Sequence, residues 1–167
     1  GYAATDDGSY HGFFWNGRMQ DLGTLAGTKE SFAWAINDAG QVVGTAYNTT
    51  TFANTAFVYA DATYQNLGAL SAGAASTAMA INATGTIVGT SNGGFPVRWV
   101  NAAIQSLPVP NGVIQPTPVD VNDGGDIIGW GTSTTVGALY ASAFWRNGTA
   151  YPLPPWPGGT KTMMCDI

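Results

Sequence analysis

One phrase, returning at near-constant intervals, constrains this chain more than anything else in it. "AINDAGQVVG" at 35–44 comes back as "AINATGTIVG" at 80–89 and "DVNDGGDIIG" at 120–129. The glycines that close the copies, taken together with Gly1, stand at Gly1, Gly44, Gly89 and Gly129, spaced by 43, 45 and 40 residues. A period of about 40–50 residues belongs to solenoids and propellers, in which one supersecondary unit is repeated and stacked.

The units also align internally. An aromatic strand ("GFFW" 12–15, "AFVY" 56–59, "FPVRW" 95–99, "SAFW" 142–145) is followed by a turn and a polar-alternating strand ("RMQDLG", "TYQNLG", "AIQSLP", "AYPLP"). A loop then leads to "AWAIN", "AMAIN", "PVDVN" and finally "MCDI". Asn16-Gly17 and Asn147-Gly148 occupy the turn of the first and last units, and both residue types tolerate the positive φ of a tight hairpin. No polar stretch carries apolar residues at i, i+3, i+4 and i+7 over three turns, so no helix is expected. The chain therefore reads as all-β, a β-propeller or propeller-like array of four-stranded repeats, with a β-solenoid as the alternative. Four blades are expected at 1–43, 44–88, 89–128 and 129–167, the last incomplete. They would form one repeat domain, itself part of a longer chain or a matured product. Trp15, Tyr59, Trp99 and Trp145 hold the same place in each unit, which predicts packing between blades. The recurring phrase, with Asn followed three residues later by Gly, reads as a hairpin that ends one blade and feeds the next.

Composition narrows the partners. A net charge of −5 and five scattered basic residues leave no basic surface to displace phosphate counterions, which argues against nucleic acid. Apolar runs of a few residues fall far short of the roughly 20 that a membrane-spanning helix needs. Charged residues make up 9% of the chain, against about 25% in ordinary soluble domains, and hydroxyls and amides fill the polar positions. Such a surface is commoner outside cells, and little repulsion keeps its copies apart. The single cysteine, Cys165, has no internal disulfide partner and no CxxC spacing, and is expected to be a small buried hydrophobe.

The stretch "HGFFWNGRMQDLGTLAGTKESFAWAINDAGQVVG" resembles the repeat of the bacterial HAF family of extracellular repeat proteins, with His11-Gly12-Phe13 in place of the name-giving His-Ala-Phe. The second unit follows the same pattern, the third lacks its "LGxL" loop, and the fourth is short. The resemblance implies a secreted or cell-surface protein of propeller-like repeats, without an established activity.

Several residue groups are candidates for chemistry. Asp120, Asn122, Asp123 and Asp126 in "DVNDGGD" offer hard oxygen ligands on a glycine-bearing loop, as Ca²⁺ prefers. The first copy, however, has Ala35 and Gln41 at the outer positions, and the second has no carboxylate, so a turn is the simpler reading. His11 lies near Ser9, Asp6 and Asp7, but a catalytic triad is assembled from separate segments, and a packing or inter-blade hydrogen-bonding role is expected instead. The ten acidic residues show no pairing that suggests glycoside hydrolysis. Trp34, Trp130, Tyr140 and Trp156 fall outside the repeat register and are candidates for stacking on sugar rings.

No catalytic residue and no cofactor is expected, calcium being the one metal considered. The leading functional expectation is an extracellular or cell-surface structural module that self-associates in a layer, fibre or matrix. A carbohydrate-binding module using loop aromatics is the alternative, and a fragment of a propeller enzyme the third.

Overall fold

The computed structural model describes residues 1–135, 139–153, 155 and 159–167. Among them are fifteen β-strands and no helix. The first sheet holds β1 (Tyr2–Ala4), β2 (Tyr10–Trp15) and β3 (Met19–Gly23). The second holds β4 (Glu30–Ile36), β5 (Val42–Asn48), β6 (Ala53–Ala60) and β7 (Thr63–Asn66). The third holds β8 (Ser76–Ile81), β9 (Ile87–Ser91), β10 (Phe95–Val100) and β11 (Ala103–Ser106). The fourth holds β12 (Val113–Val121), β13 (Ile127–Ser133), β14 (Tyr140–Arg146) and β15 (Thr149–Leu153). All pairing within the sheets is antiparallel between chain neighbours, so each sheet is a meander.

The phase of the repeat differs from the expectation drawn at the closing glycine. The phrase "INDAGQVV" joins β4 to β5 inside one sheet, and its copies do the same for β8–β9 and β12–β13. The sheets are connected instead by 24–29, 67–75 and 107–112, so boundaries at 43/44, 88/89 and 128/129 would each cut a sheet. Backbone hydrogen bonding decides this. Asn37 N–H donates to Gln41 O, and Gly40 N–H donates to Asn37 O with Gly40 at φ +76°, which closes a tight hairpin.

The closing glycine answers a packing demand. Register in β4–β5 steps from Ala33 opposite Gly44 to Ala35 opposite Val43, which leaves Trp34 as the extra residue of a β-bulge. Met79 and Val119 are the extra residues in the next two sheets. Each bulge drives a carbonyl oxygen, that of Phe32, Thr77 or Thr117, against the facing glycine, where a Cβ would overlap it.

The sheets pack in chain order: β2 on β4, then β5 and β6 on β8, then β9 and β10 on β12. Each junction has its own apolar cluster. Leu22 meets Val42 and Tyr59 at the first; Val58 and Leu67 meet Ile87 and Trp99 at the second; Val88 and Leu107 meet Ile127 and Trp145 at the third. The aromatic residue of each third strand thus packs on the preceding sheet, and Trp99 and Trp145 are each 1% exposed. Trp15 departs from the expectation. Among the described residues nothing covers it as the second sheet covers Trp99, and it is 62% exposed.

The hairpins between third and fourth strands also hold a surprise. Asn147-Gly148 has both residues at positive φ, as an Asn-Gly turn should, but Asp61-Ala62 and Asn101-Ala102 adopt the same conformation with alanine. Asn16-Gly17 instead sits in a three-residue connection between Trp15 and Met19, in which Asn16 N–H donates to Arg18 O.

Candidate functional site

Neighbouring sheets are tied by a buried serine. Ser31 Oγ, on the first strand of the second sheet, accepts the Gly12 N–H at 2.8 Å and donates to Gly23 O at 2.6 Å. Ser76 Oγ accepts the Ala56 N–H at 3.0 Å across the next junction. At the third junction the corresponding residues are Pro96 and Pro116, both fully buried: one has no N–H to give and the other no hydroxyl to receive it.

A second set of ties lies at the turns. Asn37, Asn82 and Asn122 each accept the N–H four residues ahead on their side-chain carbonyl, and the Asn37 and Asn82 amides then donate to Asn82 O and Asn122 O. These three turns, with Asp120, Asp166 and Ile167, line an open polar depression of about 380 Å³. The recurring asparagine, legible in the sequence as a turn former, therefore also links one sheet to the next.

Of the calcium candidates, Asp120, Asn122 and Asp123 line this depression and Asp126 does not, and each of the four is engaged by protein groups. Asp120 Oδ2 accepts the Ile167 N–H, Asn122 Oδ1 accepts the Asp126 N–H, and Asp123 Oδ1 accepts the Ala83 N–H of the neighbouring turn. Asp126 forms a forked ion pair with Arg146, whose guanidinium holds the Asp126 carboxyl below its usual value. Among the described residues, no three acidic, histidine or cysteine side chains gather as a metal site would require.

The first loop resolves into separate contacts. Asp7 Oδ1 accepts from the Thr5 hydroxyl at 2.6 Å and the Ser9 N–H at 3.0 Å, and these bonds hold its pKa at about 2. His11 Nδ1 pairs with Asp21 at 3.0 Å, a contact within the first sheet rather than between sheets. Burial alone would raise the Asp21 pKa, but hydrogen bonds from Gly23 N–H and His11 outweigh it and leave it lowered. Cys165 is exposed, not buried, because no strand of the described residues covers it.

The aromatic candidates divide. Trp34 joins Tyr2, Tyr10 and Phe32 in a surface cluster, with the Phe32 and Trp34 rings 13° from parallel at 6.1 Å. Its indole N–H donates to Thr45 Oγ1 at 3.2 Å. Trp130 and Tyr140 form an edge-to-face pair at 5.4 Å. Register places Trp130 and Tyr140 where Tyr2 and Tyr10 stand in the first sheet, so these positions do repeat. Alignment on Gly1 and Gly129 contained that signal, since Tyr2 and Trp130 are the next residues. Trp156 lies outside the described residues.

The apolar surface is concentrated on the first sheet and its neighbour. Trp15, Trp34, Ile36 and Phe13 line a groove of about 200 Å³, and Tyr2, Tyr10 and Met19 are exposed nearby. No protein-family model and no curated protein matches the chain.

Proposed function

We propose that this chain is an extracellular structural repeat module of the HAF type, a propeller-like array that self-associates in a surface layer, fibre or matrix. The observation that carries the reading is the exposed apolar surface that the first sheet shares with its neighbour among the described residues. The same position that buries Trp99 and Trp145 against a preceding sheet leaves Trp15 in water, beside Trp34 and Ile36. Contiguous exposed apolar surface of this kind marks an interaction site, and the low charge offers little opposition to close approach. Antiparallel four-stranded meanders packed face to face in chain order favour a propeller-like array over a solenoid.

Sedimentation velocity over a wide concentration range tests the proposal. The expected result is mass that rises with concentration, and a return to monomer in Trp15→Ser/Ile36→Ser. A single monomeric species throughout would refute it.

The near-parallel rings of Phe32 and Trp34 favour a second reading, a polysaccharide-binding surface. Quenching of tryptophan fluorescence by soluble polysaccharides, lost in Trp34→Ala, would support it. An unchanged spectrum across neutral and acidic polysaccharides would remove it.

A further inference from the structure

We propose that the pocket between the second and third sheets is a binding site for a single neutral sugar residue. It lies apart from the Trp34 surface and rests on neither reading above, because nothing in it depends on self-association or on aromatic stacking.

The pocket exists where one connection is longer than its counterparts. The chain between the second and third sheets, 67–75, has nine residues, whereas 24–29 and 107–112 have six each. This loop borders a space of about 310 Å³. Asn54 and Thr55 of β6, Asn66 at the end of β7, Ser71 of the loop and Ser76 at the start of β8 bring amides and hydroxyls to its wall. The rest of the lining is alanine and glycine, with no charged and no aromatic side chain among the described residues.

Hydrogen bonding at this junction lacks partners that the other two possess. At the first junction the carbonyl after the buried leucine, Gly23 O, receives the Ser31 hydroxyl at 2.6 Å and the Tyr64 hydroxyl at 3.0 Å. At the third, its counterpart Pro108 O receives the Trp145 indole N–H at 2.7 Å. Gly68 O holds that place at the second junction, and among the described residues no hydrogen bond reaches it. Ile104, the counterpart of Tyr64, has no hydroxyl to offer, and the Trp99 indole N–H is buried without a partner. Ser76 is 3% exposed and lines the pocket; its Oγ accepts the Ala56 N–H, but its own proton finds no acceptor among the described residues. Asn54 and Thr55 are held to β5 through their backbones, and their side chains make no hydrogen bond among the described residues. A pocket wall with both a buried spare donor and a spare carbonyl suits a ligand that donates and accepts together.

The side chains present select the class of ligand. A charged molecule would lose its hydration here without meeting a counter-ion. An apolar one would cover Ser76 and Thr55 and leave them unpaired. A hydroxyl group both donates and accepts, so a ring carrying several of them matches the amides and hydroxyls of the wall. The volume lies at the low end of the roughly 300–1,000 Å³ of small-ligand sites, which fits one sugar residue rather than a run of them.

Amide NMR of the full chain tests the site, with glucose, galactose, mannose and N-acetylglucosamine as probes and glucuronate, glucosamine and glycerol as controls. At least one neutral sugar is expected to shift the amides of Asn54, Thr55 and Ala69–Ser76 saturably, with a Kd on the order of 1 mM, and the controls should bind at least about 10-fold more weakly. Ala69→Leu, which fills the pocket from its wall, should abolish those shifts. Thr55→Val keeps the shape of the side chain without its hydroxyl and should weaken binding about 10-fold. Trp34→Ala should leave binding unchanged. Dispersion of the same spectra reports whether each variant folds, and Thr55→Val decides alone if Ala69→Leu does not. No saturable shift with any neutral sugar up to about 100 mM would overturn the site. So would equal shifts with glycerol, the mark of a water-filled cleft, or binding that Thr55→Val leaves intact. Shifts confined to Phe32 and Trp34 would overturn it while leaving the polysaccharide-binding surface standing.

Discussion

Ser76→Ala isolates the tie between the second and third sheets. The substitution removes one oxygen, leaves the Cβ in place and opens no cavity to speak of, so the cost arises at the partner. Ala56 is fully buried, and its N–H points at Ser76 Oγ rather than into a ladder bond. A buried donor left without an acceptor costs about 1–3 kcal/mol. For a chain of this length each kcal/mol moves the melting temperature by about 2–4 °C, so a fall of about 2–12 °C is expected. The third junction shows how that loss is avoided. Pro96 and Pro116 remove donor and acceptor together, and replacing both partners by apolar groups is close to neutral. Ala56→Pro on the Ser76→Ala background should therefore restore about half or more of the lost stability, although Ala56→Pro alone gains nothing of the kind. Urea unfolding followed by tryptophan fluorescence completes the double-mutant cycle. A Ser76→Ala variant within about 0.5 kcal/mol of the parent, or two substitutions that simply add, would refute the reasoning.

Gly89→Ala should be among the most damaging single changes, costing about 3 kcal/mol or more, because the new Cβ overlaps the Thr77 carbonyl oxygen at the bulge; an unfolding midpoint close to the parent's would contradict it. Ala102→Gly should stabilise by about 1 kcal/mol, since Ala102 is held at φ +63° in a turn that suits glycine, and urea titration is the check. Asp7 should titrate near 2 in a carbon-detected NMR series, against a usual value of 3.8. Its folded-state pKa is depressed, so its contribution to stability is complete above about pH 4 and is lost as the pH falls through about 2. Thr5→Val should move that midpoint upward.

Much of the fold was legible because it follows from periodicity. The glycine-terminated phrase marked the repeat, and aromatic, polar, "AIN" and "VVG" segments each became a strand. What misled was the meaning of the glycine. In a one-letter string, a glycine set by a bulge on the facing strand looks like one set by a turn, and only pairing shows that Gly44 faces Phe32 and Ala33. The same limit applies to Asn82. Its turn-forming role is local and readable, whereas its amide reaches Asn122 O, 40 residues away. Trp15 and Trp99 occupy equal sequence positions, and their opposite burial is a matter of tertiary packing, Trp99 lying against Val58 and Leu67 of the second sheet. The Trp34 cluster was half legible: the tryptophan stood out, but Phe32, Tyr2 and Tyr10 came together only through sheet packing.

The proline pair between the third and fourth sheets has a consequence for how the chain assembles. Repeats that resemble one another can dock out of order while folding. If the fourth sheet met the second, Pro116 would face the Ala56 N–H and bury it without an acceptor; if the third followed itself, Ser76 would face Pro96 and receive nothing. The native third junction dispenses with the bond, and these two misdockings each leave one partner without the other. The two-residue change on opposing strands thus sets the third junction apart from the other two and discriminates against docking a proline partner on a serine-type partner.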